Sequence, residues 1–372
     1  MSSKWSLCII ARDNEDKIGR TLESAKPLFD EIIVVDTGSL DKTKEVAESY
    51  GAITYDFEWI DDFAAARNYS FSKATGDWIM WLDTGDIIPP ASVKAFQQLK
   101  LHLTTQKESD IPEGFVVRMN RNIETDGTIV SWHLTVRLVR KSANPYWKDA
   151  IHESLHTDND NMLIFREAWV DDLNALYQEK SKRNLRILEK LRDEGRNDAW
   201  LWYYFGQEHF VHEEYEEAIE AGKNLIALGD ATNFRYEALI NIHKCYVALK
   251  TPEKGIDYLL QAISFYPARP EAFIYLGDFY YNLQQWDFAR PFYQAVIGSA
   301  TTTNHGINVD PRFYDGHYPY GRLGMCHAEM GRHKEALDAL RKGLDRAPEK
   351  HKDVYRGVIK DIQRYRKEHA KK

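Results

Sequence analysis

The sequence predicts two unlike parts: an α/β domain with a mostly parallel sheet and an antiparallel extension, then an all-α region. Three observations predict this. Short apolar runs alternate with amphipathic stretches over residues 5–90, the pattern of strand–helix–strand crossovers. Two further strand-like runs flank a Thr125-Asp126-Gly127 turn. From residue 200 onward the apolar spacing is helical and the pattern recurs.

The elements follow in order. Ser6–Ala11 reads as a first strand, and Asn14-Glu15-Asp16-Lys17 as the polar start of a helix. Glu31–Val35 is a second strand, followed by a helix over Asp41–Tyr50. Ile53–Phe57 is a third strand, followed by a helix over Asp62–Ala74, and Asp77–Leu82 is a fourth strand. Gly114–Arg118 and Thr135–Val139 extend the sheet as an antiparallel pair. A helix is expected near Leu176.

In the helical region Trp202-x-x-Phe205-Gly206, Phe273-x-x-Leu276-Gly277 and Tyr320-x-x-Leu323-Gly324 align, with a looser copy at Ile242-His243. Small residues follow at Ala218, Ala289 and Ala336. The step from His243 to Gly277 is about 34 residues, the tetratricopeptide period. Ser299–Gly316 stretches the last interval and reads as an insertion carrying His305, Asp310, Phe313 and Tyr314. The expected division is 1–175 for the α/β domain, 176–199 for a helical linker, 200–350 for the repeats and 351–372 for a basic C-terminal helix or tail.

Composition narrows the function classes. Apolar residues at 43% and charged residues at 28% exclude a mostly disordered chain. A net charge of −8 weighs against a general nucleic-acid binder. The acidic excess lies in the first 175 residues, whereas the end is locally basic. The apolar runs are too short to span a bilayer, and Arg12, Asp13, Glu15 and Asp16 interrupt any signal segment. Three widely spaced cysteines, Cys8, Cys245 and Cys326, read as reduced thiols of a cytoplasmic protein.

The chemistry-bearing residues gather at strand ends, where open parallel sheets bind ligands. The first strand ends at Ala11-Arg12-Asp13-Asn14, the second at Asp36-Thr37-Gly38-Ser39 and the fourth at Asp83-Thr84-Gly85-Asp86. No Gly-x-Gly-x-x-Gly and no P-loop pattern is present. Three aspartates at one sheet mouth suit a divalent cation, which takes oxygen ligands, or a nucleotide.

Ala11-Arg12-Asp13-Asn14-Glu15, Val34-Val35-Asp36-Thr37-Gly38-Ser39, Asp62-Phe63-Ala64-Ala65-Ala66-Arg67-Asn68 and Trp81-Leu82-Asp83-Thr84-Gly85-Asp86 resemble the successive motifs of family 2 glycosyltransferases. That resemblance implies a GT-A fold, a Rossmann-like nucleotide-sugar domain. The segment from Val136 to Ser154 is similar to the end of the catalytic domain in a bacterial and phage subgroup with tetratricopeptide repeats after it. Its domain order resembles that of peptide S-glycosyltransferases.

What the resemblance implies can be placed residue by residue. Ala11 and Asp13 border the nucleotide, Asp36 holds the uracil ring, and Arg67 lies beside the phosphates. Asp83 and Asp86 occupy the metal-binding Asp-x-Asp region. The family usually carries an aspartate where this chain has Gly85, so Asp86 is expected to substitute as ligand to Mn²⁺ or Mg²⁺, with Asp83 and His152. Glu153 is the candidate general base and Asp149 its competitor; His133 reads as structural or acceptor-lining. The implied reaction is inverting transfer of glucose or N-acetylglucosamine from a UDP-sugar to a hydroxyl or thiol of a macromolecule, either peptide, glycan or protein. Transfer to hydroxymethylated bases of phage DNA is the alternative, and an inactive repeat scaffold is the alternative of another class. An exposed repeat edge leads to the expectation of a homodimer.

Overall fold

Trp5–Ala11 forms β1, and every residue of it but Ile10 is buried. Trp5, Leu7 and Ile9 pack into one core, while Cys8 packs into another on the opposite face. A parallel strand covered on both sides reads as a continuous apolar run, which is why β1 and its neighbours were visible in the sequence. The computed structural model describes residues 3–123, 127, 129–173, 182–229, 233–298, 313 and 316–369.

The remaining elements of the first part are α1 (Ile18–Ala25), β2 (Glu31–Asp36), α2 (Thr43–Ser49), β3 (Ile53–Asp56), α3 (Phe63–Lys73), β4 (Trp78–Trp81), β5 (Asp86–Ile87), α4 (Pro90–Leu103), β6 (Gly114–Ile123), β7 (Ile129–Arg140), β8 (Tyr146–Lys148), β9 (Ser154–His156) and β10 (Met162–Asp172). An eight-stranded sheet runs in the order β3-β2-β1-β4-β7-β6-β10-β5, and β8 and β9 form a separate pair. β3, β2, β1 and β4 are parallel. β7 is antiparallel to both β4 and β6, the expected extension. β10 returns parallel to β6, and β5 closes the edge antiparallel to β10. Ile18 and Leu22 of α1 and Phe96 and Leu99 of α4 cover one face; Ala64 and Phe71 of α3 cover the other, with Trp147.

Of the first part, α4, β5, β8, β9 and β10 were not read from the sequence. α4 opens on Pro90, whose fixed φ and missing N–H suit a first helical turn. β10 hides its periodicity behind a register shift between Phe165 and Trp169.

The chain separates into two compact units, Met1–Ile187 and Leu188–Lys372. The split falls inside α5 (Arg183–Asp193), and the helix expected at Leu176 lies outside the described residues. The second unit is helical throughout its described residues: α6 (Ala199–Val211), α7 (Tyr215–Ala227), α8 (Asn233–Ala248), α9 (Ile256–Phe265), α10 (Glu271–Asn282), α11 (Trp286–Gly298), α12 (Tyr318–Glu329), α13 (His333–Arg346) and α14 (Glu349–His369). Successive helices pair as hairpins at the small residues. A Cβ on Gly277 of α10 would stand 2.7 Å from a ring carbon of Tyr293 on α11. Adjacent hairpins share one core: Tyr236 and Leu239 of α8, Leu259 and Ala262 of α9, and Leu276 of α10 form one cluster. Of the expected insertion, Phe313 and Gly316 are described, and Phe313 packs on Tyr275 and Tyr318. His305, Asp310 and Tyr314 lie outside the described residues. Among the described residues, no helix is long and apolar enough to cross a membrane.

Candidate active site

The loops after β1 and β2 are stitched together by backbone N–H groups. Asp13 Oδ1 accepts from Leu40 N at 2.7 Å, and Asp13 N donates to Ser39 Oγ at 2.9 Å. Glu15 Oε2 accepts from Lys42 N, and Glu15 N donates to Asp41 Oδ2. Asp36, at the end of β2, is buried and accepts from Gly38 N and Ser39 N at 3.0 and 2.9 Å, and from the Ser39 hydroxyl. Its carboxylate shapes its own turn. Thr37 lines the neighbouring cavity, and Asp36 does not.

That cavity holds about 260 Å³ and opens at the carboxyl ends of β1, β2 and β4. Ala11, Arg67 and Asp83 of the expected residues line it, together with Arg12, Asn14 and Thr84 from the same motifs. Trp59, Phe63 and Arg183 also line it, and no motif had marked Trp59 or Arg183.

Arg67 is the best-fixed charge of the site. It lies on α3, whose first turn is capped by Asp62 accepting from Ala65 N. Arg67 Nη2 donates to Asp83 Oδ1 at 2.7 Å, and Nε donates to Glu153 Oε1 at 2.6 Å. Its Cζ lies 4.5 Å from the Trp81 ring centre and 4.8 Å from that of Trp147. Trp147 is locked to α3 by a two-way bond with Asn68. Burial pushes the guanidinium pKa down, but the Asp83 and Glu153 carboxylates outweigh it and hold it above its usual value. Asp83 in turn is raised by burial and lowered further by Arg67 and Arg137, so it stays ionised. Its carboxylate is 45% exposed and opens to the cavity.

Asp86 departs from the expectation. β5 pairs it with Asp172, and this pairing turns the side chain inward. Asp86 is 1% exposed; its Oδ2 accepts from Arg137 Nη1 at 2.9 Å and from Asp83 N at 3.0 Å. Burial pushes its pKa up to about 7 against the pull of Arg137. Arg137 Cζ lies 3.6 Å from the Trp81 ring centre. Gly85 before it has φ +97°, and its N–H donates to Thr21 Oγ1. Asp86 is therefore a partner of Arg137, not a group facing the cavity.

Asp149, His152 and Glu153 share one segment that meets α3 twice: Phe63 N donates to Ala150 O at 2.8 Å, and Glu153 holds Arg67. Asp149 and His152 adopt φ of +74° and +49°. None of the three lines the cavity. Among the described residues, no group of three or more His, Cys, Asp or Glu side chains stands ready to hold a metal. A divalent cation that keeps its waters needs only one or two carboxylates plus substrate phosphates. The set Asp83, Asp86 and His152 does not assemble, and of the three only Asp83 lines the cavity.

His133 on β7 is mostly buried. Burial, then the charges of Arg121 and Arg137, lower its pKa to about 4. Sequence reasoning missed Arg137 and the Trp81–Trp147 pair, whose rings meet edge to face at 4.8 Å.

Residues 6–103 match the family model described as Glycosyl transferase family 2. A TPR repeat-containing protein of Synechococcus elongatus is 35% identical over 162 residues, 44% of this chain and 37% of the relative. The SPbeta prophage-derived glycosyltransferase SunS of Bacillus subtilis is 24% identical over 229 residues, 59% of this chain and 52% of SunS. The chain thus spans about a third to a half of the length of these curated relatives. Among solved structures, that of MamA gives a TM-score of 0.37 at 22% identity, covering 44% of this chain and 85% of MamA. The motifs, the strand order and the family match converge: the first unit of this chain carries a glycosyl transferase family 2 domain, followed in the same polypeptide by a helical repeat unit.

Proposed function

We propose that this chain is an inverting glycosyltransferase that moves a hexose, glucose or N-acetylglucosamine, from a UDP-sugar to a hydroxyl or thiol of a peptide or protein. The observation that carries this reading is the cavity at the ends of β1, β2 and β4, with a fully oriented Arg67 in its wall. The loop after β1, with Ala11 and Asp13, and the turn built by Asp36 shape the nucleotide end. Arg67 supports the charge that develops on the diphosphate. Because it is already oriented by two carboxylates and two rings, it costs no reorganisation during reaction.

Asp83 would hold Mn²⁺ or Mg²⁺ jointly with the diphosphate, and such a cation would neutralise the leaving group as a Lewis acid. The acceptor oxygen or sulfur forms a bond to the anomeric carbon from the face opposite the diphosphate. The bond from that carbon to the phosphate oxygen breaks, and its electron pair leaves with UDP. The acceptor proton goes to a carboxylate of the 149–153 segment. Glu153 holds Arg67, so the reading gives Glu153 the positioning role and Asp149 the proton. The helical repeats offer the extended surface that a peptide acceptor needs, and the likeness to SunS, named a glycosyltransferase, agrees with transfer chemistry.

The test is a UDP-release assay on the full chain, using a UDP-sugar panel with cysteine- and serine-containing peptides, with and without Mn²⁺. Sugar-dependent UDP release and a mass increase on a peptide support the reading. UDP binding without turnover on any acceptor would leave a binding protein in its place.

A further inference from the structure

We propose that Trp59 is a further donor-binding residue: its ring is the platform on which the base of the nucleoside-diphosphate sugar stacks. This rests on the donor reading above. Trp59 lies between β3 and α3, outside every motif of the site, yet it lines the same cavity as Arg67 and Asp83. Its indole is held from two sides. Nε1 donates to Asp61 Oδ1 at 2.9 Å, and the ring meets that of Phe63 edge to face with centres 4.7 Å apart. Phe63 itself carries the Arg183 guanidinium, whose Cζ stands 4.8 Å from the ring centre. Trp59 is half-buried, so a flat ligand ring can cover what remains exposed of it.

The place of Trp59 in the sheet assigns the base to it. Phe57 N donates to Asp36 O at 2.8 Å, which ties the chain after β3 to the end of β2. Trp59 follows two residues on, and Thr37, just past β2, lines the cavity with it. Asp83 and Thr84 line the cavity after β4, on the far side of the order β3-β2-β1-β4. Three strand spacings separate the two ends, roughly 14 Å in all. A nucleoside diphosphate is elongated in the same sense, because its ribose separates a flat, uncharged base from the charged diphosphate. Arg67, bonded to Asp83, fixes the charged end, and the base then reaches the aromatic end. A base presents two π-faces, and an aromatic side chain holds it by a face. Because Asp61 and Phe63 already orient the indole, little rotamer freedom is lost on binding.

Calorimetry on the full chain tests this with UDP, ADP, uridine and inorganic pyrophosphate as probes, on wild type, Trp59→Ala and Trp59→Phe. Trp59→Ala is expected to weaken UDP and uridine alike, roughly tenfold, and to leave pyrophosphate unchanged, with Trp59→Phe recovering part of the loss. Unchanged pyrophosphate binding also reports an intact fold. Wild-type UDP affinity in Trp59→Ala would overturn the proposal, as would an equal loss of UDP and pyrophosphate in both variants. If wild type binds ADP as tightly as UDP and Trp59→Ala weakens both, the stacking site stands and the uridine assignment falls. If wild type binds pyrophosphate as tightly as either nucleotide, the stacking site falls and the diphosphate end of the donor reading stands. If wild type binds none of the probes, both readings fall.

Discussion

Asp86 Oδ2 lies 2.9 Å from Arg137 Nη1, and both side chains are closed off from solvent, at 1% and 3% exposure. A carboxylate placed beside the cavity by its sequence position is thereby removed from it by its partner. Breaking a buried pair from one side strands a charge, which costs about 3–5 kcal/mol. Arg137→Ala should therefore lower the denaturant midpoint strongly, whereas the double variant Asp86→Leu/Arg137→Leu should regain much of it. Chemical unfolding followed by tryptophan fluorescence checks this. Equal midpoints for the single and double variants would show that the pair is not what holds these residues.

Glu153 and Asp149 divide by experiment. Glu153→Gln loosens Arg67, so UDP affinity should fall along with turnover. Asp149→Asn should leave UDP affinity intact and lower turnover by about 10²–10⁴. Calorimetry and UDP release on the same preparations compare the two. Unchanged UDP affinity in Glu153→Gln would remove its positioning role.

Asp83→Asn keeps a hydrogen-bond acceptor for Arg67 but loses the charge a cation needs. Mn²⁺ should enhance UDP binding to wild type and have no such effect on this variant, with turnover lower by about 10²–10³. Titration of Mn²⁺ at fixed UDP reads it directly. A variant that still responds to Mn²⁺ would place the cation elsewhere.

His133 sets a pH dependence with a definite sign. Its pKa is lowered from 6.5 to about 4 in the folded state, by burial first and then by Arg121 and Arg137. The unfolded chain therefore binds the proton first as pH falls. The stability this gives is complete above pH 6.5 and is lost as pH drops toward 4. The difference in unfolding free energy between wild type and His133→Gln should change across this window and be flat above it. A pH-independent difference would mean that His133 does not titrate differently on folding.

Gly277→Ala sets helix propensity against packing. Alanine gains about 1 kcal/mol as a helix former. Its Cβ would meet the Tyr293 ring, which is buried and tied to Asp278 by a 2.7 Å hydrogen bond. Overpacking costs about 1–3 kcal/mol, so the variant should melt lower. Scanning calorimetry decides, and a rise in melting temperature would show that the ring yields freely.

The parallel core was legible because β1, β2 and β4 are apolar on both faces, and the polar residues that end them stand out against those runs. The hairpin contacts of the repeats were legible for a related reason: Gly206 and Gly277 recur with fixed partners downstream. The orientation of Asp36 and Asp86 was not. Each carboxylate answers to a local partner, Ser39 in one case and Arg137 in the other, and only the folded chain chooses between partner and cavity. The Trp81–Trp147 clamp on Arg67 joins segments far apart in sequence, where no periodicity links the residues.

Gly85 fixes a turn that a larger residue cannot simply take over. With φ at +97° and its N–H bound to Thr21, the position holds a backbone shape that side chains with a Cβ resist. Writing aspartate back at position 85 would restore the family's letters without restoring a ligand, because the turn would have to be rebuilt around it first. Gly85→Asp is therefore expected to loosen the turn between Asp83 and Asp86 rather than to add a cation ligand.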